Sequence, residues 1–113
     1  MDHKTILVVD DERTIVFMIA DLLEDEGYVV RCCFDGRTAL DTVDREVPDL
    51  VVSDVMMPGL DGIAVAVYLR ERGIPVLLMS AVPGHRAVPG VPFIPKPFDL
   101  DRFLDAVTHA LAA

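Results

Sequence analysis

Three aspartates follow apolar segments of this chain at points where a strand would end. Asp10 and Asp11 follow residues 6–9, and Asp54 follows residues 49–53. Like charges held close together at a partly buried position repel strongly, so such a group requires a cation. Oxygen ligands select a hard divalent ion, and Mg²⁺ typically takes one or two carboxylates together with waters and phosphate oxygens. The absence of His or Cys at these positions argues against zinc. We therefore predict a Mg²⁺ site at these aspartates.

A hydroxyl and an ammonium group end two further segments. Ser80 follows residues 75–79, and Lys96 follows the short segment that contains residues 93–94. Both groups suit a bound phosphoryl group, because each can share its negative charge. A carboxylate beside a phosphoryl group can act as the nucleophile and form an aspartyl phosphate. The residue types therefore favour phosphoryl chemistry.

Alternating strands and helices have to position these side chains. Short apolar, β-branched runs predict strands, and amphipathic stripes predict helices. The strands are predicted at residues 6–9, 28–33, 49–53, 75–79 and 93–94, and the helices at residues 15–23, 39–43, 63–72 and 100–111. This alternation predicts an α/β fold with a parallel sheet covered by helices on both faces. The ends of parallel strands then bring the polar residues to one edge of the sheet.

Prolines mark the fifth strand and the segment before it. Pro92 and Pro95 flank residues 93–94, which places this strand at a sheet edge. Two Pro-Gly pairs within residues 82–90 leave at most four residues between helix breakers, so we predict a loop or a single turn there. The fourth helix of the fold is therefore expected to be shortened or missing. The strand at 75–79 is apolar on both faces, so flanking helices or a partner, such as a second copy, should cover it.

Composition narrows the class of protein. The 113 residues suffice for one domain, predicted at residues 1–113, and a hydrophobic fraction of 52% requires a substantial core. Ten Lys and Arg side chains against nineteen Asp and Glu argue against binding to nucleic acid or to an anionic membrane surface. No apolar run approaches a membrane span and no leader pattern is present, so we expect a cytoplasmic protein. The adjacent Cys32 and Cys33 should point to opposite faces of a strand as free thiols.

Four motifs together resemble the receiver domain of bacterial two-component response regulators. They are the Asp10-Asp11-Glu12 run, residues 51–62 around Asp54, the Ser80-Ala81 pair and residues 96–98. The resemblance covers essentially the whole chain. It implies a flavodoxin-like, doubly wound five-stranded parallel sheet with strand order 2-1-3-4-5. It also implies a signalling domain that assists its own phosphorylation and dephosphorylation, rather than an enzyme.

The resemblance implies roles for the acidic residues. Asp54 would accept a phosphoryl group from a histidine of a sensor kinase, or from a phosphotransfer protein. Asp11 and Asp54 would bind Mg²⁺ directly, together with the backbone carbonyl of Met56. Asp10 would act mainly through a metal-bound water.

It also implies roles for the other motif residues. Ser80 would hydrogen-bond the phosphoryl group and report its presence, and the Ala81 N–H would donate to it too. Lys96 would pair with a phosphoryl oxygen, and the Lys96–Pro97 peptide would be cis. Phe93 matches the aromatic residue that couples to the hydroxyl switch, so residues 82–93 would change and be recognised by a downstream protein or a second copy.

Structural explanations compete at single positions. Asp10 and Asp11 could cap the first helix, and Asp54 could form a strand-end turn. Asp61-Gly62 is better explained as a turn and helix start than as a ligand. Two other functions compete as well. A binding module that had lost phosphorylation should lack Asp54, Asp11 or Lys96, and an aspartyl phosphatase should carry an acid at position 56, where this chain has Met. The chain could be a standalone regulator or the receiver of a hybrid kinase or longer regulator.

Overall fold

Strands and helices alternate along the chain in the computed structural model, which describes residues 3–81 and 88–112. In chain order the elements are β1 (Thr5–Val9), α1 (Arg13–Asp25), β2 (Val29–Cys33), α2 (Gly36–Arg45), β3 (Leu50–Asp54), α3 (Gly62–Glu71), β4 (Val76–Ser80), β5 (Phe93–Pro95) and α4 (Leu100–Ala112). None of the helices within the described ranges is long and apolar enough to cross a membrane.

The strands form one parallel sheet in the order β2-β1-β3-β4-β5. This order and the flanking helices confirm the predicted fold class. β5 lies at an edge of the sheet, as its flanking prolines require. The register pairs Asp54 with Met79 and Ser80 with Pro95, so the carboxyl ends of β3, β4 and β5 lie side by side.

Two apolar cores lie on opposite faces of the sheet. Successive strand residues point to opposite faces, so Leu7 and Val9 pack against α2 and α3, while Ile6 and Val8 pack against α1 and α4. Both sides of the central strands are buried, which explains their continuous apolar runs. Cys33 packs in the first core and Cys32 against the second, and both are free thiols. Their predicted opposite orientation is confirmed.

Every residue of β4 is buried, so the strand presents no bare apolar face. Val88, which follows β4 in the chain, is itself buried and packs in the same core as Val76 and Leu78. Residues 82–87 of the predicted loop lie outside the described residues. The described residues 88–92 form a turn at Pro89-Gly90 and no helix, in agreement with the prediction for that part of the segment.

Aspartates begin two of the helices that flank the site. Asp61 Oδ1 accepts a hydrogen bond from the Ala64 N–H at 2.9 Å, which confirms its interpretation as a helix start. Asp99 Oδ1 accepts from the Arg102 N–H at 2.7 Å and so caps the start of the last helix.

Candidate functional site

Three aspartates converge at the carboxyl ends of β1 and β3. Carboxylate oxygens of Asp10, Asp11 and Asp54 lie within 4.8 Å of one another. Asp10 is fully buried, Asp54 is 7% exposed and Asp11 is exposed. The cluster therefore has two buried carboxylates behind one that faces solvent.

Lys96 lies between the two buried carboxylates. Its Nζ donates a hydrogen bond to Asp10 Oδ2 at 3.1 Å and lies 3.4 Å from Asp54 Oδ1. The Lys96 backbone N–H donates to the Ser80 carbonyl at 2.7 Å, which ties the residue after β5 to the end of β4. Three carboxylates and one ammonium leave two negative charges uncompensated, so the donor set fits a divalent cation.

The charges of this cluster shift the pKa of its members. Burial raises the pKa of the Asp54 carboxyl, and the negative charge of Asp10 raises it further, while Lys96 opposes both. Burial lowers the pKa of Lys96, but the hydrogen bond to Asp10 and the charges of both carboxylates outweigh it, so the net pKa is raised. Lys96 therefore stays protonated, whereas the ionised form of Asp54 is disfavoured.

The backbone after β3 is held by close contacts. The Val55 N–H donates to the Met79 carbonyl at 2.9 Å, and the Gly62 N–H donates to the Val55 carbonyl at 3.0 Å. A Cβ atom on Gly62 would lie 2.0 Å from the Asp54 carbonyl oxygen, so only glycine permits this approach. The start of α3 thereby fixes the backbone of Asp54.

The remaining predicted residues lie on β4, on β5 and in the segments that follow β3, β4 and β5. Ser80 ends β4 with 1% exposure, Ala81 is exposed, and Phe93 begins β5 with 40% exposure. The Lys96–Pro97 peptide is cis, as the sequence resemblance implies. The exposed side chain of Met56 lies in the loop that follows Asp54.

The cap explanation accounts poorly for Asp10 and Asp11. The N-cap residue of α1 is Glu12, and its side chain makes no capping hydrogen bond. Asp10 Oδ1 accepts from the Glu12 N–H at 3.0 Å, which orients the carboxylate just before the helix. Its other oxygen then binds Lys96.

A groove of about 510 Å³ adjoins Lys96, and sequence reasoning missed it. Its walls come from α1, with Ile15 and Met18, from Ala81 directly after β4, and from the segment after β5, with Phe98. Met18 lies at helical spacing from Ile15 and Leu22 and so belongs to the apolar stripe of the first helix, yet its side chain is 53% exposed. The apolar stripe of α1 is wider than the part of the helix that packs on the sheet. Helical spacing in the sequence does not show where the packed part ends.

An aromatic cluster at the start of α1 was also missed. The Phe17 ring contacts Phe34 edge to face at 5.8 Å between centroids, and the Arg13 guanidinium lies 3.9 Å from the Phe34 centroid. The two phenylalanines are 17 residues apart in the chain. Only the packing of α1 beside the end of β2 brings them together.

The comparison with known proteins identifies the family. Residues 6–108 match the family model of the response regulator receiver domain, and the chain belongs to this family. The chain is thus a response regulator receiver domain, and this class of domain is consistent with phosphorylation-dependent signalling.

Two curated relatives illustrate the similarity in sequence. The chain is 47% identical over 81 residues, 70% of its length, to the alkaline phosphatase synthesis transcriptional regulatory protein PhoP of Bacillus subtilis. It is 41% identical over 107 residues, 88% of its length, to the response regulator MprA of Mycolicibacterium vanbaalenii. It spans only 34% and 46% of these two proteins, respectively.

The structure is similar to the signal receiver domain of a signal transduction histidine kinase from Syntrophus aciditrophicus. The TM-score is 0.85 at 30% identity, and the match covers 96% of this chain and 90% of the other. Receiver domains similar to this chain therefore occur both in regulators and in a histidine kinase.

Proposed function

We propose that this chain is a receiver domain spanning residues 1–113 that accepts a phosphoryl group on Asp54. The observation that carries the proposal is the position of Asp54, whose carboxylate lies at the end of β3 beside two other aspartates and 3.4 Å from Lys96. An Asp54 oxygen would attack the phosphorus of a phosphohistidine, forming a P–O bond while the P–N bond breaks and its electrons return to the imidazole. This makes the domain a switch rather than an enzyme with a separate substrate.

The other side chains would stabilise the transferred group. Lys96 would pair with a phosphoryl oxygen, since its raised pKa keeps it protonated. The Ser80 hydroxyl and the Ala81 N–H would donate further hydrogen bonds. Ser80 and Phe93 would then carry the change to the segment between β4 and β5.

The cluster fits Mg²⁺, which would be held by Asp11, Asp54 and the Met56 carbonyl, with Asp10 acting through water. The fit rests on the two uncompensated negative charges and on oxygen-only donors within 4.8 Å of one another. A bound Mg²⁺ supplies positive charge that offsets the repulsion among carboxylate and phosphoryl oxygens. The chain's own residues orient the nucleophile and hold the phosphoryl oxygens.

The donor would be a sensor histidine kinase or a phosphotransfer protein in the cytoplasm. The groove beside Lys96 offers such a protein an apolar contact surface, with Met18 exposed at its wall. After phosphorylation, a downstream protein or a second copy would recognise the changed segment. The transcriptional role in the name of the Bacillus relative suggests one output for a longer protein of this type.

Intact-mass measurement after incubation with phosphoramidate tests the proposal. We expect one phosphoryl group per wild-type chain in the presence of Mg²⁺, and none in its absence or on Asp54→Asn. Asp61→Asn is the matched control, because it removes an exposed charge but keeps an oxygen for the helix cap. Equal labelling of Asp54→Asn and wild type would assign the phosphoryl group to another residue.

A further inference from the structure

A cavity of about 380 Å³ opens at the end of the sheet that faces away from the aspartates. It lies where α3 ends, β4 begins and the chain enters β5. Most of its wall is apolar, from Ile74, Pro75, Val76, Val91, Pro92 and Ala110. Its volume is within the range of small-molecule sites in proteins.

One guanidinium group lies at the wall of this cavity. A Cβ atom on Gly90 would lie 3.1 Å from Arg70 Nε and 3.4 Å from Arg70 Cζ, so the guanidinium packs against the bare backbone of this glycine. Gly90 has a φ of 79°, a backbone conformation that favours glycine. The turn therefore requires a residue without a side chain at the position against which Arg70 packs. The ion pairs among the described residues do not include Arg70.

The local charge contrasts with the chain as a whole. The net charge is −9, yet the described wall of the cavity contains Arg70 and His109 and no carboxylate. His109 Nδ1 lies 3.0 Å from the Asp105 carbonyl, which can only accept, so Nδ1 carries the donated proton. Glu71 lines a neighbouring depression with Arg70 rather than this cavity.

We propose that this cavity binds a small amphipathic carboxylate, with its apolar part against Ile74 and Val91 and its charge on the Arg70 guanidinium. Apolar walls with one fixed cation suit an apolar body and a single anionic head. An amine or a neutral alcohol of the same shape lacks this complementarity.

Such a ligand would contact the chain just before β5. The Val91 N–H donates to the Val88 carbonyl at 3.0 Å, and the Pro92 carbonyl accepts from the Leu78 N–H at 3.0 Å. A ligand on Val91 and Pro92 would therefore stabilise the junction between this segment and β4. The inference does not depend on phosphorylation, and the unphosphorylated protein suffices to test it.

Titration of the full ¹⁵N-labelled chain with sodium phenylacetate, followed by NMR, tests the proposal. We expect saturable amide shifts concentrated at the non-proline residues that line the cavity, which are Arg70, Gly73, Ile74, Val76, Gly90, Val91, His109 and Ala110. 2-Phenylethanol and 2-phenylethylamine have a similar apolar body and should bind more weakly. No saturable shift up to the solubility limit of phenylacetate, or equal binding of the alcohol, would overturn the proposal.

Two variants and a matched control sharpen the result. Arg70→Gln should weaken phenylacetate binding about fivefold, because a loss of this size is what the removal of a solvent-exposed ion pair causes. Arg72→Gln should leave it unchanged, because the Arg72 guanidinium lies 3.4 Å from the centroid of the Tyr68 ring instead. Ala110→Leu should fill the cavity and abolish binding, provided that its amide spectrum remains that of the folded protein. Equal weakening by Arg70→Gln and Arg72→Gln would reject Arg70 as the anion partner.

Discussion

The Asp54 carboxylate ionises in surroundings that oppose its charge. Its pKa is raised by burial and by Asp10, so the folded protein binds a proton there more tightly than the unfolded chain does. The protonated carboxyl group therefore contributes its full stabilisation below the pKa that Asp54 has in the unfolded chain, which is near 3.8. This stabilisation is lost as the pH rises through the higher pKa that Asp54 has in the folded protein. Asp54→Asn should thus stabilise the metal-free protein at neutral pH, by about 1 kcal/mol given the offset from Lys96.

Urea unfolding of the wild type and of Asp54→Asn measures this difference in the free energy of unfolding. Both proteins are unfolded with a metal chelator present, at pH values that rise from 3 in steps of about one pH unit. The curves should converge near pH 3 and separate as the pH rises above 4. Asp61→Asn should follow the wild type, since its carboxylate is exposed. Parallel curves for wild type and Asp54→Asn over the whole range would contradict the expected pKa shift.

Met56 should slow the loss of the phosphoryl group. It lies two residues after Asp54, it is 59% exposed, and its thioether cannot act as a base that orients an attacking water. Met56→Glu should shorten the lifetime of the phosphorylated protein on the order of tenfold. The decay of the phosphorylated mass after removal of the donor measures this.

A methionine elsewhere on the surface provides the control. Met18 has a similar exposure of 53% but lies on α1, so Met18→Glu should leave the decay unchanged. Equal lifetimes for wild type and Met56→Glu would show that position 56 does not control hydrolysis. The resemblance to receiver domains implies that the side chain two residues after Ser80 also flanks the attacking water; that residue is Val82, which lies outside the described residues.

The start of α3 sets the position of the nucleophile at the scale of one element. A methyl group on Gly62 would lie 2.0 Å from the Asp54 carbonyl oxygen and 2.8 Å from Val55 Cα, so the loop after β3 would have to move. Gly62→Ala should therefore destabilise the protein by about 3 kcal/mol and reduce phosphorylation of the molecules that remain folded.

A substitution at Gly73 serves as the control, because it introduces backbone strain without the steric clash that is expected at Gly62. Its φ is 72°, and a methyl group added there would have no described atom within 4 Å, so Gly73→Ala should cost about 1 kcal/mol and leave phosphorylation unchanged. Thermal unfolding and intact mass compare both variants. Equal effects of the two substitutions on phosphorylation would remove the steric argument.

The segment that leads into β5 should respond to phosphorylation. Val88 packs in the core, the chain turns at Gly90, and Ser80 binds Lys96 through its backbone carbonyl. A phosphoryl group that accepts hydrogen bonds from Ser80 and Lys96 should shift both residues and the segment connected to them. The rate of hydrogen exchange at residues 88–93 should therefore change severalfold on phosphorylation. Exchange in β1 should remain the same and serves as the internal reference. Unchanged exchange at 88–93 would contradict this role of the segment.

Mg²⁺ should stabilise the whole molecule. A ligand that binds only the folded state raises the unfolding free energy by RT ln(1 + [L]/Kd), which is about 1.4 kcal/mol at tenfold excess over Kd. Wild type should therefore melt several degrees higher in millimolar Mg²⁺. Asp11→Ala should lose most of this rise, while Asp49→Ala, far from the cluster at the other end of β3, should retain it. An unchanged wild-type melting curve would exclude the metal site.

The pattern of apolar runs along the sequence predicted the sheet, and it also predicted which polar residues follow the carboxyl end of each strand. Burial on both faces requires continuous β-branched runs, so the strands are visible without a tertiary structure. Parallel strands also send their carboxyl ends to one edge, which is why Asp10, Asp54 and Lys96 could be predicted to lie together. A turn and cap residue such as Asp61 acts on backbone a few residues away, and for this reason its role was predicted too.

Contacts between distant segments depended on tertiary packing. The sequence determined the strands, the helices and the set of residues at the sheet edge, because each follows from periodicity or near-neighbour sterics. The tertiary structure alone decided that Lys96 lies between Asp10 and Asp54, that Met18 is exposed, and that Arg70 packs on Gly90. Those features depend on how far each helix covers its face of the sheet, and that coverage results from the packing of side chains many residues apart.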